Sequence, residues 1–239
     1  MYKIIAKAAL ALGAVALTLA FTAPVAVADS SLVTMKNCPN GDWCMYHRTY
    51  NGWRHSPLKQ INPCNVSKLR PAWIFQQGDA RQGLHSTPLA IDGDVYLATN
   101  PSNVWKLDGE SGKRLWSWQP ELDEAVTSRS FFNHTRGLTI GDGRVYMGTS
   151  DGRIFAISMR DGSVIWENQV VDSQHDTAGF SGAGAFVGDL LIIGQNGGEY
   201  PVEGRIFGIN TATGAVEWTF YTTGRDDPAA LATWGGDSW

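Results

Sequence analysis

One pattern recurs three times along the chain and restricts it more than any other feature. Gly93-Asp94-Val95-Tyr96 leads through Thr99 and Asp108 to Gly112-Lys113-Arg114-Leu115-Trp116. Gly143-Arg144-Val145-Tyr146 leads through Thr149 and Ser158 to Gly162-Ser163-Val164-Ile165-Trp166. Gly188-Asp189-Leu190-Leu191 leads through Gly194 and Asn210 to Gly214-Ala215-Val216-Glu217-Trp218. Successive Trp residues lie 50 and 52 positions apart; the first two Gly-to-Trp spans are 23 residues and the third is 30. The extra residues fall around Gly197-Gly198-Glu199-Tyr200-Pro201-Val202-Glu203. A unit that repeats at this length cannot bury its apolar face alone, so neighbouring units must stack.

Within each unit the residues read as strand, turn, strand, turn, strand. Val95-Tyr96-Leu97 and Val145-Tyr146-Met147 are β-rich, and Val104–Leu107 and Ile154–Ile157 supply the next strands. Asp108-Gly109-Glu110-Ser111-Gly112 and Arg160-Asp161-Gly162 carry turn chemistry, and a strand bearing the Trp follows. No stretch holds a 3.6-residue apolar period. The reading is all-β: four-stranded antiparallel blades of a β-propeller, with Trp116, Trp166 and Trp218 as flat wedges between blades. Three clear repeats and a partial one ending near Trp73 make an incomplete array of about three to four blades, against the roughly four to eight that close a ring. The sequence ends on the turn-like Gly235-Gly236-Asp237-Ser238, so the expectation is the N-terminal part of a longer propeller.

Charged residues are 18% and hydrophobic residues 43%, which excludes a disordered chain. Net charge is −4, and no Lys/Arg cluster exceeds a pair, so nucleic acid is not an expected partner. Lys3 and Lys7, the apolar run Ala8–Ala23 and the small-residue site Ala26-Val27-Ala28 make residues 1–28 a secretory signal peptide, cleaved before Asp29. No stable membrane anchor is expected, and residues 29–239 form the exported propeller part. Export gives meaning to Cys38, Cys44 and Cys64. They allow three single pairings, of which Cys38–Cys44 closes the shortest loop and is favoured.

Two stretches go beyond architecture. The first is Asp42-Trp43-Cys44-Met45-Tyr46-His47-Arg48, continuing through Ser56-Pro57-Leu58-Lys59-Gln60-Ile61-Asn62-Pro63 and Asn65-Val66-Ser67-Lys68-Leu69 to Ala72-Trp73. The second is Gly194-Gln195-Asn196-Gly197-Gly198-Glu199-Tyr200, with Thr233-Trp234-Gly235-Gly236-Asp237-Ser238-Trp239 at the end. Read alone, Gly197-Gly198-Glu199 fits either a turn with a solvent-facing Glu, or a place where backbone approaches a flat ligand beside a carboxylate for a hard cation.

With the repeats, these stretches resemble the periplasmic quinoprotein alcohol dehydrogenases of the methanol/ethanol type over residues 40–239. That resemblance implies an eight-bladed propeller using pyrroloquinoline quinone (PQQ) with a calcium or lanthanide ion. It implies oxidation of a small-molecule alcohol by hydride transfer to the metal-bound quinone, with a periplasmic cytochrome as electron acceptor. It assigns Glu199 to the metal, and Arg136, Ser181, Asn196, Gly197 and Gly198 to the cofactor. An Arg suits the cofactor's acidic groups because its fork binds carboxylates and is always charged.

The chain departs from the family pattern in three ways. The family's adjacent Cys pair is replaced by Arg129-Ser130-Phe131-Phe132, and a cofactor-contacting Glu by His85, in His85-Ser86-Thr87-Pro88. No catalytic base falls within the sequence. The repeats by themselves fit equally a non-enzymatic envelope scaffold or a relative that has lost its cofactor. N-terminal sequencing of the exported protein should find a chain beginning near Asp29 in the periplasm; an intact Met1–Ala28 on that protein would make the segment an anchor.

Overall fold

The structure is a computed structural model that describes residues 38–39, 41–78, 83–123, 134–173 and 175–236. It contains three four-stranded antiparallel sheets, each a simple meander. The first comprises β1 (Leu89–Ile91), β2 (Asp94–Thr99), β3 (Asn103–Asp108) and β4 (Arg114–Trp118). The second comprises β5 (Thr139–Gly141), β6 (Arg144–Gly148), β7 (Arg153–Ser158) and β8 (Val164–Gln169). The third comprises β9 (Ala185–Val187), β10 (Leu190–Gly194), β11 (Arg205–Asn210) and β12 (Val216–Tyr221). A short helix, α1 (Pro228–Leu231), follows; the Asp227 carboxylate caps it by accepting the Ala229 N–H at 2.9 Å.

The repeat is therefore one four-stranded sheet per period, as the sequence implies, with one strand in each beyond the three that the residues spell out. The added members are the three-residue inner strands β1, β5 and β9, too short for any alternation to register. Asp92-Gly93 and Asp142-Gly143, all at positive φ, join β1 to β2 and β5 to β6. Two left-handed residues match the natural twist of a tight hairpin. Each Trp also falls inside the outer strand, not at its end. Opposite it, the third strand carries a register shift at the same place in every sheet: after Lys106, Ala156 and Gly208.

The core lies between sheets. Leu89, Ile91, Tyr96 and Val104 of the first meet Ile140, Val145, Met147 and Phe155 of the second. Tyr146, Ile154 and Ala156 of the second meet Phe186, Leu191, Phe207 and Ile209 of the third. The inner strands are buried and the outer strands β4, β8 and β12 largely exposed.

A recurring lock sets the stacking. The Trp116 indole N–H donates to the Met159 carbonyl at 3.1 Å, and Trp166 donates to Thr211 at 3.0 Å. Trp73, ahead of the first sheet, donates in the same way to Gly109 at 3.0 Å. Each acceptor lies three residues before Gly112, Gly162 or Gly214, which the indole covers. A Cβ on those glycines would stand 2.5, 2.9 and 2.7 Å from the ring, and all three have positive φ. The partial repeat ending near Trp73 thus joins the array through the same contact. Trp218 occupies the corresponding place in the third sheet, where it is 38% exposed; the expectation that it lies between blades is met for Trp116 and Trp166 only.

The leading segment crosses the inner edges of the sheets. Trp43 pairs with Ala90 of β1 through two backbone hydrogen bonds, of 2.8 and 3.1 Å. The Tyr46 ring lies against Gly137, and the Tyr50 hydroxyl donates to the Phe186 carbonyl of β9. The Cys38–Cys44 disulfide ties the segment at its start, with Cα atoms 5.8 Å apart, and Cys64 is free and exposed. Among the described residues no helix is long and apolar enough to cross a membrane.

Urea denaturation should separate the lock from ordinary turn strain. Gly162→Val adds a clash with Trp116 to an unfavourable φ and should cost roughly 2–4 kcal/mol. Gly143→Ala, with open space around it, should cost only about 1–2 kcal/mol.

Candidate functional site

In an antiparallel meander, alternate connections return to the same end. The β1–β2 and β3–β4 turns, with the Trp–Gly locks, occupy one end of the array. The β2–β3, β6–β7 and β10–β11 connections and the links between sheets occupy the other. Every candidate residue falls at this second end. His85 precedes β1, Arg136 precedes β5, Ser181 precedes β9, and Asn196, Gly197, Gly198 and Glu199 lie between β10 and β11. The extra length of the third repeat is spent here, at residues 195–204.

Hydrogen bonds stitch the three links together. The Thr87 N–H donates to the Arg136 carbonyl at 3.3 Å, and the Arg136 N–H donates to the Ser181 carbonyl at 2.7 Å. The Arg136 guanidinium also donates to the Ser181 hydroxyl oxygen at 2.8 Å. Two residues upstream, Gly179 and Asn196 bond twice: the Gly179 N–H donates to the Asn196 side-chain oxygen at 2.8 Å, and the Asn196 N–H donates to the Gly179 carbonyl at 2.9 Å. Arg136, Ser181 and Asn196 thus belong to one bonded run although they come from two links and a loop.

Gly197 is buried at φ 114°, where a Cβ would stand 2.8 Å from Val202 and 3.0 Å from the Thr177 carbonyl. Only glycine suits that position. Gly198, by contrast, has open space where a side chain would go. Glu199 is exposed on the same turn. Among the described residues it makes no hydrogen bond or ion pair, and no contact joins Gly198 or Glu199 to Arg136. Among the described residues no three His, Cys, Asp or Glu side chains gather to hold a metal ion.

Three carboxylates of the loops at this end are paired with arginines, while Asp172 pairs with His175. Asp151, 5% exposed, pairs with Arg153 at 2.6 Å and accepts the Thr149 hydroxyl. Asp176 pairs with Arg205, and Glu203 with Arg225, each at 2.6 Å. Burial pushes the Glu203 carboxyl up, but the Thr223 hydroxyl and Arg225 outweigh it and hold it below the usual carboxylate range. Among the described residues Arg136 has no such partner: the residue is exposed and its guanidinium bonds to a neutral hydroxyl. A fixed fork of N–H donors with no acid on it is what an oxyanion needs.

His85 packs against a residue that the sequence did not single out. The His85 and His134 rings have centroids 4.5 Å apart and are tilted by 50°. Burial, then the positive charges possible at His85 and present at Arg136, hold His134 below the ordinary imidazole value. The motif Asn133-His134-Thr135-Arg136-Gly137 contains His134, but the pairing joins links 49 residues apart and leaves no local signal. Asn100 was also not foreseen; it ties two links by donating to the Gly83 carbonyl at 2.9 Å and accepting the Thr135 N–H at 2.7 Å. Arg129-Ser130-Phe131-Phe132 lies outside the described residues.

Stacked four-stranded sheets with inner edges side by side and connecting loops gathered at one end define a partial β-propeller. Residues 43–239 match the PQQ family described as the glucose/ethanol/alcohol dehydrogenase β-propeller domain, and the chain belongs to that family. It is 35% identical over 222 residues to quinohemoprotein alcohol dehydrogenase ADH IIB of Pseudomonas putida, covering 88% of this chain and 32% of that protein. It is 32% identical over 211 residues to the lanthanide-dependent methanol dehydrogenase of Methylacidiphilum fumariolicum (strain SolV), covering 87% and 34%. The crystal structure of quinohemoprotein alcohol dehydrogenase from Comamonas testosteroni superposes with a TM-score of 0.73 at 30% identity, over 77% of this chain and 28% of that one. A europium-containing methanol dehydrogenase superposes at 0.72 and 29%, over 80% and 33%. The chain thus spans about a third of the length of these relatives.

The buried pair at the β6–β7 turn supplies a direct test of how this end is held. Asp151→Ala leaves Arg153 without its carboxylate and should cost about 3 kcal/mol in chemical denaturation. Asp172→Ala, at an exposed ion pair with His175, should change stability by less than about 1 kcal/mol.

Proposed function

We propose that these sheets are the N-terminal part of an exported, PQQ-dependent alcohol dehydrogenase, and that the loop end carries its half of the cofactor and metal site. The observation that carries the reading is Arg136: an exposed guanidinium, held by Ser181, at a loop end where Asp151, Asp176 and Glu203 are paired with other arginines. The family match and the relatives named as alcohol dehydrogenases supply the substrate class.

The residues present fit the group. Arg136 binds a carboxylate of PQQ in a forked, charge-assisted way, and the Ser181 hydroxyl keeps the guanidinium in place. Asn196 fixes the strand-to-loop transition against Gly179, the buried Gly197 makes the turn, and Gly198 presents bare backbone to a flat ring. Glu199 offers hard carboxylate oxygens to a calcium or lanthanide ion. PQQ, when bound, accepts the hydride that leaves the alcohol carbon. The chain's own residues bind and orient; the catalytic base and the remaining metal ligands are supplied from outside this chain. Residues 1–28 direct export, and a periplasmic cytochrome accepts the electrons.

Full-length protein supplied with PQQ and either calcium or lanthanum should reduce an artificial acceptor when given short alcohols. Arg136→Ala should weaken PQQ binding roughly 10- to 100-fold, and Glu199→Gln should raise the metal concentration needed for half-maximal activity. Failure of the full-length protein to bind PQQ would overturn the reading.

A further inference from the structure

Residues 71–78 carry the marks of an outer strand whose sheet is not among the three present. Trp73, Phe75 and Gln77 are half-buried, and Ala72, Ile74 and Gln76 are exposed, which is the period of two that a strand shows. The same alternation runs through Trp116 and Trp118 in β4 and through Trp166 and Asn168 in β8, with a Trp at the same place. Trp73 reaches the first sheet as Trp116 reaches the second: its indole N–H donates to the Gly109 carbonyl, as that of Trp116 donates to Met159. Two residues further on, Phe75 meets Trp105 of β3 with ring centroids 5.3 Å apart, as Trp118 meets Phe155 of β7 at 4.7 Å. Both side-chain contacts of an outer strand are thus reproduced. The backbone contact is not: β4, β8 and β12 each pair with the third strand of their sheet, whereas the backbone of residues 72–76 pairs with no strand among the described residues.

We propose that residues 72–76 are a docking edge for three antiparallel strands from the part of the propeller outside residues 1–239, which this segment completes as a fourth, outer strand. The proposal rests on the reading of these sheets as part of a longer propeller. The chain spans about a third of its relatives' length, so such strands have a source.

The three sheets present specify the occupant. Its third strand runs antiparallel to residues 72–76 and carries a register shift opposite Trp73, as β3, β7 and β11 do opposite Trp116, Trp166 and Trp218. Its remaining strands lie against the first sheet. The core on that side consists of Leu97, Trp105 and Leu107 under Trp73 and Phe75, and is smaller than either core between complete sheets. A row of unpaired N–H and C=O groups along an extended segment is a template for strand addition. The leading segment then binds the inner edges of the sheets at Trp43 and Tyr50 and ends inside a further sheet, so the ring closes through backbone hydrogen bonds as well as packing.

Hydrogen–deuterium exchange of the full-length protein without PQQ, read by peptide mass spectrometry over a range of protein concentrations, tests this. Residues 72–76 should exchange as slowly as Val164–Gln169 of β8, at every concentration. Gly112→Ala, which crowds the Trp73 ring, should speed exchange at 72–76 roughly tenfold relative to β8. Fast exchange at 72–76 in the unaltered protein, with β8 protected, would overturn the proposal. Protection that appears only as the protein dimerises would overturn it in favour of a second copy of the chain. The measurement needs no cofactor, so its outcome is separate from whether PQQ binds, and the comparison with β8 needs no variant.

Discussion

An indole laid over a glycine is the contact on which this structure depends. A four-stranded sheet of these residues has two faces to cover, and dispersion alone would let neighbouring sheets slide. The Trp–Gly lock removes that freedom with one flat surface and one directional hydrogen bond, from the ring N–H to a carbonyl three residues before the glycine. The glycine is needed twice over: its positive φ closes the β3–β4 type of turn, and its missing side chain admits the ring. Because the same geometry recurs at Trp73, Trp116 and Trp166, one local solution is copied along the array.

Fixing one end of the stack leaves the other free to carry chemistry. Loops there need not hold sheets apart or together, so they can vary in length, and the third repeat uses that freedom between β10 and β11. What keeps the loops from drifting is backbone pairing between links, from Thr87 to Arg136 to Ser181, and the leading segment bound along the inner edges. Asp151, Asp176 and Glu203 are each balanced by an arginine, whereas Arg136 is held by a hydroxyl. An uncompensated guanidinium is tolerable because it is solvated; it becomes useful when an anion displaces that water.

The same loop end brings together residues from separate links: His85 meets His134 there, close in sequence to Thr87 and Arg136. A link between sheets accommodates such polar and titratable groups most cheaply, because little core packing depends on it.

Much of this was legible in the residues. The spacing of Gly and Trp predicts one sheet per period, because a rigid turn glycine and a large flat ring are both costly to move. The excess residues of the third repeat predict a loop in the right place, and the short separation of Cys38 and Cys44, six positions, favours the pairing that forms. Other features carry no local signature. The inner strands are three residues long and become strands only because a longer neighbour offers its edge. The Arg136–Ser181 bond, the acid–arginine pairs and the His85–His134 contact join residues brought together by stacking. The sequence by itself determined the repeat unit and how units lock, since both reside in short-range turn geometry and side-chain shape. Only the tertiary structure decided which polar groups meet and which arginines pair with acids, because that depends on where successive sheets set their loops in space.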